Sequence, residues 1–158
     1  MEKLPQRKDL RLKEYDYTAG WYFVTICTVD RKCIFGHVVG GDAHIAPQMA
    51  LSTYGKTVEQ YIKTISGIDS YVIMPNHVHF VVSIGAENGS MWASTPTKTL
   101  GSLVRSFKTM VTKTIGEKVW QRYYYDHVIR NEADYLRIRQ YMDNNPARWA
   151  EDEYYEFS

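Results

Sequence analysis

Cysteine and long apolar runs are both scarce in this chain. Only Cys27 and Cys33 occur among 158 residues, and no CxxC pair is present, which excludes a cysteine-based zinc or redox motif. The expected state is two reduced thiols packed as small hydrophobes. No stretch reaches the roughly 18 consecutive apolar residues of a membrane span. The start, Met1-Glu2-Lys3-Leu4-Pro5, lacks the apolar core of a secretory signal. These absences lead to the expectation of a cytoplasmic protein. A strong net charge is also lacking: the formal value is +1.

That value hides an uneven distribution. Glu151, Asp152, Glu153 and Glu156 fall in the last eight residues with no basic partner, so residues 1–150 hold 19 basic against 14 acidic residues, a net +5. The expected organisation is one domain over residues 1–150 and an acidic tail over 151–158. A chain of this length with an apolar fraction of 44% can bury a substantial core. Basic clusters at Arg7, Lys8, Arg11 and Lys13, and at Lys98, Arg105, Lys108, Lys113 and Lys118, can meet phosphates, although charge runs are more often solvated faces.

Trp21 to Thr28 is rich in aromatic and β-branched residues and reads as a buried strand. Turn signals at Gly36 and Gly40-Gly41-Asp42 fit a short hairpin or irregular ribbon to about residue 47. Leu51, Tyr54, Val58, Ile62 and Ile65 recur at helical steps up to Gly67. Tyr71–Met74 and His77–Ile84 read as two strands separated by Pro75-Asn76, where proline interrupts the ladder. Residues 85–99, rich in Gly, Ser, Thr and Pro, read as a loop. A helix follows with the stripe Leu100, Leu103, Val104, Phe107, Val111 and Ile115, capped by Thr99 and stopped at Gly116. Tyr123–Ile129 fits another strand. Asn131 caps a last helix with Glu132 and Asp134 in its first turn, where the macrodipole favours acids. Pro146 is expected to draw Asn145 out of helical geometry. The order fits an α+β, ferredoxin-like sandwich: a mainly antiparallel sheet covered by helices.

Two imidazoles two residues apart on a strand, His77 and His79, point to one face and can share a metal ion. Two ligands leave most coordination positions empty. The amide oxygen of Asn145 is a candidate third ligand of the kind hard cations accept. Tyr141 lies one helical turn before Asn145, about 40° away around the axis. A cation polarising a phosphate beside a phenol that can serve as nucleophile would be a centre for phosphoryl transfer. Taken singly, each residue also has an ordinary reading: a satisfied structural histidine, a packed tyrosine, a helix stop.

Four segments occur in order: Val72-Ile-Met-Pro-Asn-His77-Val-His79-Phe-Val-Val82, Ser102-Leu-Val-Arg-Ser-Phe-Lys108, Val119-Trp-Gln121 with Asp126-His-Val-Ile-Arg130, and Tyr141-Met-Asp-Asn-Asn-Pro146. Together they resemble the single-tyrosine HUH transposases, in particular the REP-associated tyrosine transposases, over about residues 15 to 150. The resemblance implies that His77, His79 and Asn145 bind Mg²⁺ or Mn²⁺ and that Tyr141 is the nucleophile. Insertion-sequence relatives often have glutamine where Asn145 stands. It also implies cleavage of single-stranded DNA near a hairpin through a 5′-phosphotyrosine, leaving a 3′-hydroxyl, and strand transfer by the reverse step. The DNA surface it implies takes in Arg105 and Lys108, and Arg122 and Arg130 are further candidates. Trp120 and Tyr123 to Tyr125 can stack on unpaired bases, with core packing the stronger reading.

Three readings stand at this point: a transposase, monomeric or homodimeric; a domesticated hairpin-DNA-binding protein without useful catalysis; and a metal-dependent phosphodiesterase using water. The acidic tail would repel DNA, and it either docks on a basic surface or shields it.

Overall fold

The computed structural model describes residues 20–42, 44–85 and 99–154. The first strand, β1, spans Gly20–Cys27, and a small hairpin of β2 (Gly36–Val39) and β3 (Gln48–Leu51) follows it. Helix α1 covers Thr53–Ile62. Then come β4 (Ile68–Met74), β5 (His77–Ile84), α2 (Leu100–Ile115), β6 (Tyr125–Ile129) and α3 (Glu132–Asp143). A 3₁₀ segment, Pro146–Glu151, follows α3. The main sheet has the order β4-β5-β1-β6, antiparallel throughout, which is the ferredoxin-like arrangement expected from the sequence.

Strand alternation divides the sheet into two unlike faces. Tyr22, Val24, Ile26, Val78, Phe80 and Val82 point toward α1 and α2, where they join Val58, Ile62, Val104, Phe107 and Val111 in the main core. Their neighbours on the opposite face, Phe23 and Val81, pack against Ile138 and Met142 of α3. The histidine pair belongs to this second, thinner layer. In register, His79 sits between Thr25 and Val72, and His77 between Cys27 and Met74.

The caps follow the sequence closely. Thr99 and Ser102 form a reciprocal capping box at the start of α2, and Gly116 ends it in the left-handed region. Asn131 accepts from the Asp134 backbone N–H at the start of α3. Several details differ from expectation: α1 stops at Ile62, ahead of Ile65, and β4 begins at Ile68, ahead of Tyr71. Leu51 ends β3, and α1 begins after Ser52, whose hydroxyl accepts from Gly55 N–H, because pairing with Gly36 outweighs the helical period there. Tyr123 and Tyr124 precede β6. Asn145 keeps helical angles (φ −56°, ψ −49°), so Pro146 opens a new tight turn without pulling its predecessor into an extended form. Both cysteines are free thiols, as expected. Most of the loop assigned to residues 85–99 lies outside the described residues. Among the described residues no helix is long and apolar enough to cross a membrane.

Gly55 lets α1 approach the chain just ahead of the site. A Cβ there would collide with the Phe35 carbonyl oxygen, and Phe35 N–H in turn donates to Pro75 O in the β4–β5 turn. Gly55→Ala is expected to lower unfolding stability by roughly 1–3 kcal/mol, the usual range for forced overpacking. Urea denaturation measures this, and a loss under about 0.5 kcal/mol, the scale of a neutral surface change, would contradict the tight approach.

Candidate metal and nucleophile centre

His77 and His79 are completely buried. Each ring is held through Nδ1. His77 Nδ1 lies 2.8 Å from Asn76 Oδ1, and His79 Nδ1 lies 2.7 Å from Thr25 Oγ1. The two Nε2 atoms face each other at 3.1 Å. Burial, then the neighbouring His79 ring, hold His77 well below the usual histidine range. Burial alone pulls His79 down to about 3. Both rings are therefore neutral near pH 7, the form that metal ligation requires.

Hydrogen-bond logic fixes the His77 tautomer. Asn76 Nδ2 donates to the backbone oxygens of Tyr154 (2.6 Å) and Arg31 (3.3 Å), so its oxygen faces His77 and accepts from Nδ1–H. That leaves His77 Nε2 bare, able to accept from His79 Nε2–H while Thr25 donates to His79 Nδ1. In the other His79 tautomer Thr25 accepts instead, and two bare Nε2 atoms then stand 3.1 Å apart. Two ligand atoms in cis positions on an octahedral ion at about 2.1 Å would be about 3.0 Å apart. The spacing suits a shared ion.

Asn145, 2% exposed, lies on the same side. Its Oδ1 is buried without a hydrogen-bond partner, an expensive state for an amide oxygen, and its Nδ2 donates to Asp152 Oδ2 at 3.3 Å. His77, His79 and Asp152 offer ligand atoms all within 4.8 Å of one another. This donor set fits a divalent metal site: two imidazole nitrogens, a carboxylate and an orphaned amide oxygen. Burial pushes the Asp152 carboxyl up, while the Tyr154 N–H and the Asn145 amide favour its charged form.

Tyr141 projects from the last turn of α3. Its ring centre is 5.3 Å from that of His79 and 6.2 Å from that of Phe23, edge-on to both, and Phe23 stacks on His79 at 5.1 Å. Burial raises the phenol above its ordinary range, and the Asp152 charge adds to this; the Asn145 amide acts the other way. The fold thus brings together all four residues named from sequence, His77, His79, Tyr141 and Asn145.

The remaining candidates lie elsewhere. Lys108 is half-buried and donates to the Gln121 and Arg122 backbone oxygens at 2.7 and 3.2 Å. It lines a hollow with Lys113, Lys118 and Arg122. Arg105 and Arg122 are exposed, and the Arg122 guanidinium lies over the Tyr123 ring, 5.3 Å from its centre. Arg130 borders a separate depression with Trp21 and Tyr135. Trp120 is a core residue packed between Phe35 and Phe107. His127 is bound to Asp134 at 2.7 Å.

Sequence reasoning missed Thr25, Asn76 and Asp152 as parts of the centre. Asn76 stands inside the recognised Pro-Asn-His run, which was its signal. Asp152 was counted with the acidic tail, yet residues 152–154 lie against the histidines. The Tyr154 ring centre is 4.6 Å from that of His77, and Arg31 donates to the Glu153 backbone oxygen at 3.4 Å. Aromatic spacing in Trp149-Ala-Glu-Asp-Glu-Tyr154 was the available hint of burial.

No protein-family model matches the chain. An uncharacterized protein of Haemophilus influenzae is 37% identical in an alignment of 174 residues covering 94% of this chain and 93% of that protein. Among solved structures, a REP-associated tyrosine transposase bound to a REP hairpin superposes with a TM-score of 0.59 at 20% identity, covering 87% of this chain and 73% of that one. The chain therefore belongs to the family of the Haemophilus influenzae protein and has the fold of the REP-associated tyrosine transposase.

Proposed function

We propose that this protein cuts and rejoins single-stranded DNA beside a hairpin, with Tyr141 as the nucleophile. The observation that carries the reading is the approach of Tyr141 to a buried donor set: the paired Nε2 atoms 3.1 Å apart and the orphaned Asn145 oxygen. The neighbour of the same fold is bound to a REP hairpin, which supports hairpin DNA as the substrate class.

His77, His79, Asn145 and Asp152 would hold Mg²⁺ or Mn²⁺, which supplies positive charge to polarise the scissile phosphate and favour the phenolate. Asn76 holds His77 in the tautomer that leaves Nε2 bare, and Thr25 would accept from His79 Nδ1–H when the ion takes His79 Nε2. Phe23 fixes the Tyr141 ring by edge-on contact. In the cutting step the Tyr141 oxygen loses its proton and forms a bond to phosphorus, and the bond from phosphorus to the 3′-oxygen breaks. That oxygen takes up a proton and leaves as a 3′-hydroxyl. The phosphotyrosine conserves the phosphodiester energy, so a 3′-hydroxyl attacking the same phosphorus reseals a strand and returns the phenol. Arg105, Lys108, Arg122 and Arg130 are proposed as phosphate contacts. Arg122 stacked on the exposed Tyr123 has the form of a single-strand platform. The cytoplasm is the proposed compartment, and residues 1–150 the transposase domain, to which Asp152 and Tyr154 of the acidic segment add their contacts at the centre.

Hairpin binding without cutting is a second reading. It draws on Tyr154, whose ring covers His77, and on the raised Tyr141 phenol. The two separate in one assay. Incubation with Mn²⁺ and a labelled single-stranded hairpin is expected to give a covalent protein–DNA band that Tyr141→Phe abolishes while hairpin affinity stays within about twofold, a difference under RT ln 2. Cleavage persisting in Tyr141→Phe would overturn the tyrosine mechanism. Tight binding with no band under several metals would favour the second reading.

Thr25 offers an independent check on the metal. Thr25→Val removes the partner of His79 Nδ1 at nearly constant volume, so Mn²⁺ affinity measured by calorimetry is expected to fall about 10- to 100-fold, as for other partners that orient a ligand. An unchanged affinity would exclude the pair as the binding site.

A further inference from the structure

Beside the histidine pair, α3 and the sheet border a half-open cavity of about 260 Å³. Its apolar floor includes Phe23, and His127 of β6 borders it. Arg137, Gln140, Tyr141 and Asn144 recur at three- and four-residue steps on one face of α3 to form the wall, which Arg148 extends from the 3₁₀ segment. Tyr141 and Asn145, which also line it, belong to the centre described above; Gln140, Asn144 and Arg148 have no role there.

Part of this wall is rigid before anything binds. Asp134 accepts from His127 Nε2 and from Arg137, each at 2.7 Å, and its own N–H is capped by Asn131 at 2.8 Å. Burial opposes ionisation of Asp134, but the Arg137 and His127 hydrogen bonds outweigh it and hold the carboxyl below its usual range. By contrast, the exposed side-chain amides of Gln140 and Asn144 have no hydrogen-bond partner among the described residues, and Arg148 has no ion pair among them. Glu153 contributes a carboxylate acceptor at the same cavity.

We infer that this cavity receives one unpaired nucleotide of the strand being cut, adjacent to the scissile phosphate, with Gln140 and Asn144 reading the edge of its base. The inference rests on the DNA-cutting role proposed above. The phosphorus attacked by Tyr141 is joined to nucleotides on both sides, so one of them must lie beside the phenol, and Tyr141 itself lines the cavity. The volume is below the roughly 300–1,000 Å³ of drug-sized pockets, on the scale of one base. An apolar floor beneath two amides matches a base, which has apolar faces and a hydrogen-bonding edge. Arg148 supplies the charge for the attached phosphate.

The test is an abasic scan by fluorescence anisotropy. Tyr141→Phe protein, which removes the nucleophile, is titrated with a REP-type hairpin carrying unpaired arms, intact or with one base deleted at a time. One arm position is expected to weaken binding about tenfold when abasic, the scale of one well-made base contact. Adding Gln140→Ala and Asn144→Ala should lower affinity for the intact hairpin by a similar factor and reduce the penalty at that position to less than about twofold. Affinity for the hairpin abasic at that position should be unchanged, which also shows that the variant is folded. A penalty that persists in the variant, or a flat abasic profile with firm hairpin binding, would overturn the subsite alone. No binding to the hairpin at all would overturn the functional reading and the subsite with it.

Discussion

Two neutral imidazoles packed 3.1 Å apart at their Nε2 atoms, both fully withdrawn from water, set the constraint to which the rest of this molecule answers. Burying so many polar nitrogens is tolerable only if each is bonded. The partners come from three separate places in the chain: Thr25 across the β1–β5 pairing, Asn76 in the β4–β5 turn, and each ring for the other. The antiparallel register of β1 on β5 places Thr25 opposite His79, and a slip by one residue would turn both histidines into the opposite core.

The thin layer above the pair is equally dependent on one helix. Packing of Ile138 and Met142 on Phe23 and Val81 sets the height of α3 over the sheet. The same helix carries Tyr141 and passes on to Asn145, which stays helical. The 3₁₀ segment after it then turns the chain back, so Asp152 bonds to Asn145 and the Tyr154 oxygen bonds to Asn76. The histidine-facing side chains of Asn145 and Asp152, the proposed nucleophile Tyr141 and the C-terminal acidic residues are thus mechanically joined, and a shift of α3 changes all of them together.

How much of this was legible in the sequence depends on the range of the interaction. Caps are local, and Thr99, Gly116 and Asn131 do what their residue types require. The histidine pair was legible because a period of two fixes a common face, and Tyr141 with Asn145 because one helical turn does the same. Leu51 misled because its helical spacing competed with a strand pairing that only the hairpin reveals. Thr25 was hidden because its role needs the β1–β5 register, and Asp152 because four acids near a terminus ordinarily stay in solvent. Lys108 illustrates the same limit: its charge was visible, but its two backbone bonds to residues 121 and 122 were not.

The central claim is that the two histidines and Tyr141 form one metal-assisted centre, and its first half is directly observable. Crystals grown with Mn²⁺ and recorded at a wavelength with strong manganese anomalous scattering should show one dominant peak bonded to Nε2 of both His77 and His79, with an oxygen of Asn145 or Asp152 in contact. The account would be contradicted by a map with no peak between the imidazoles and the two Nε2 atoms still hydrogen-bonded to each other.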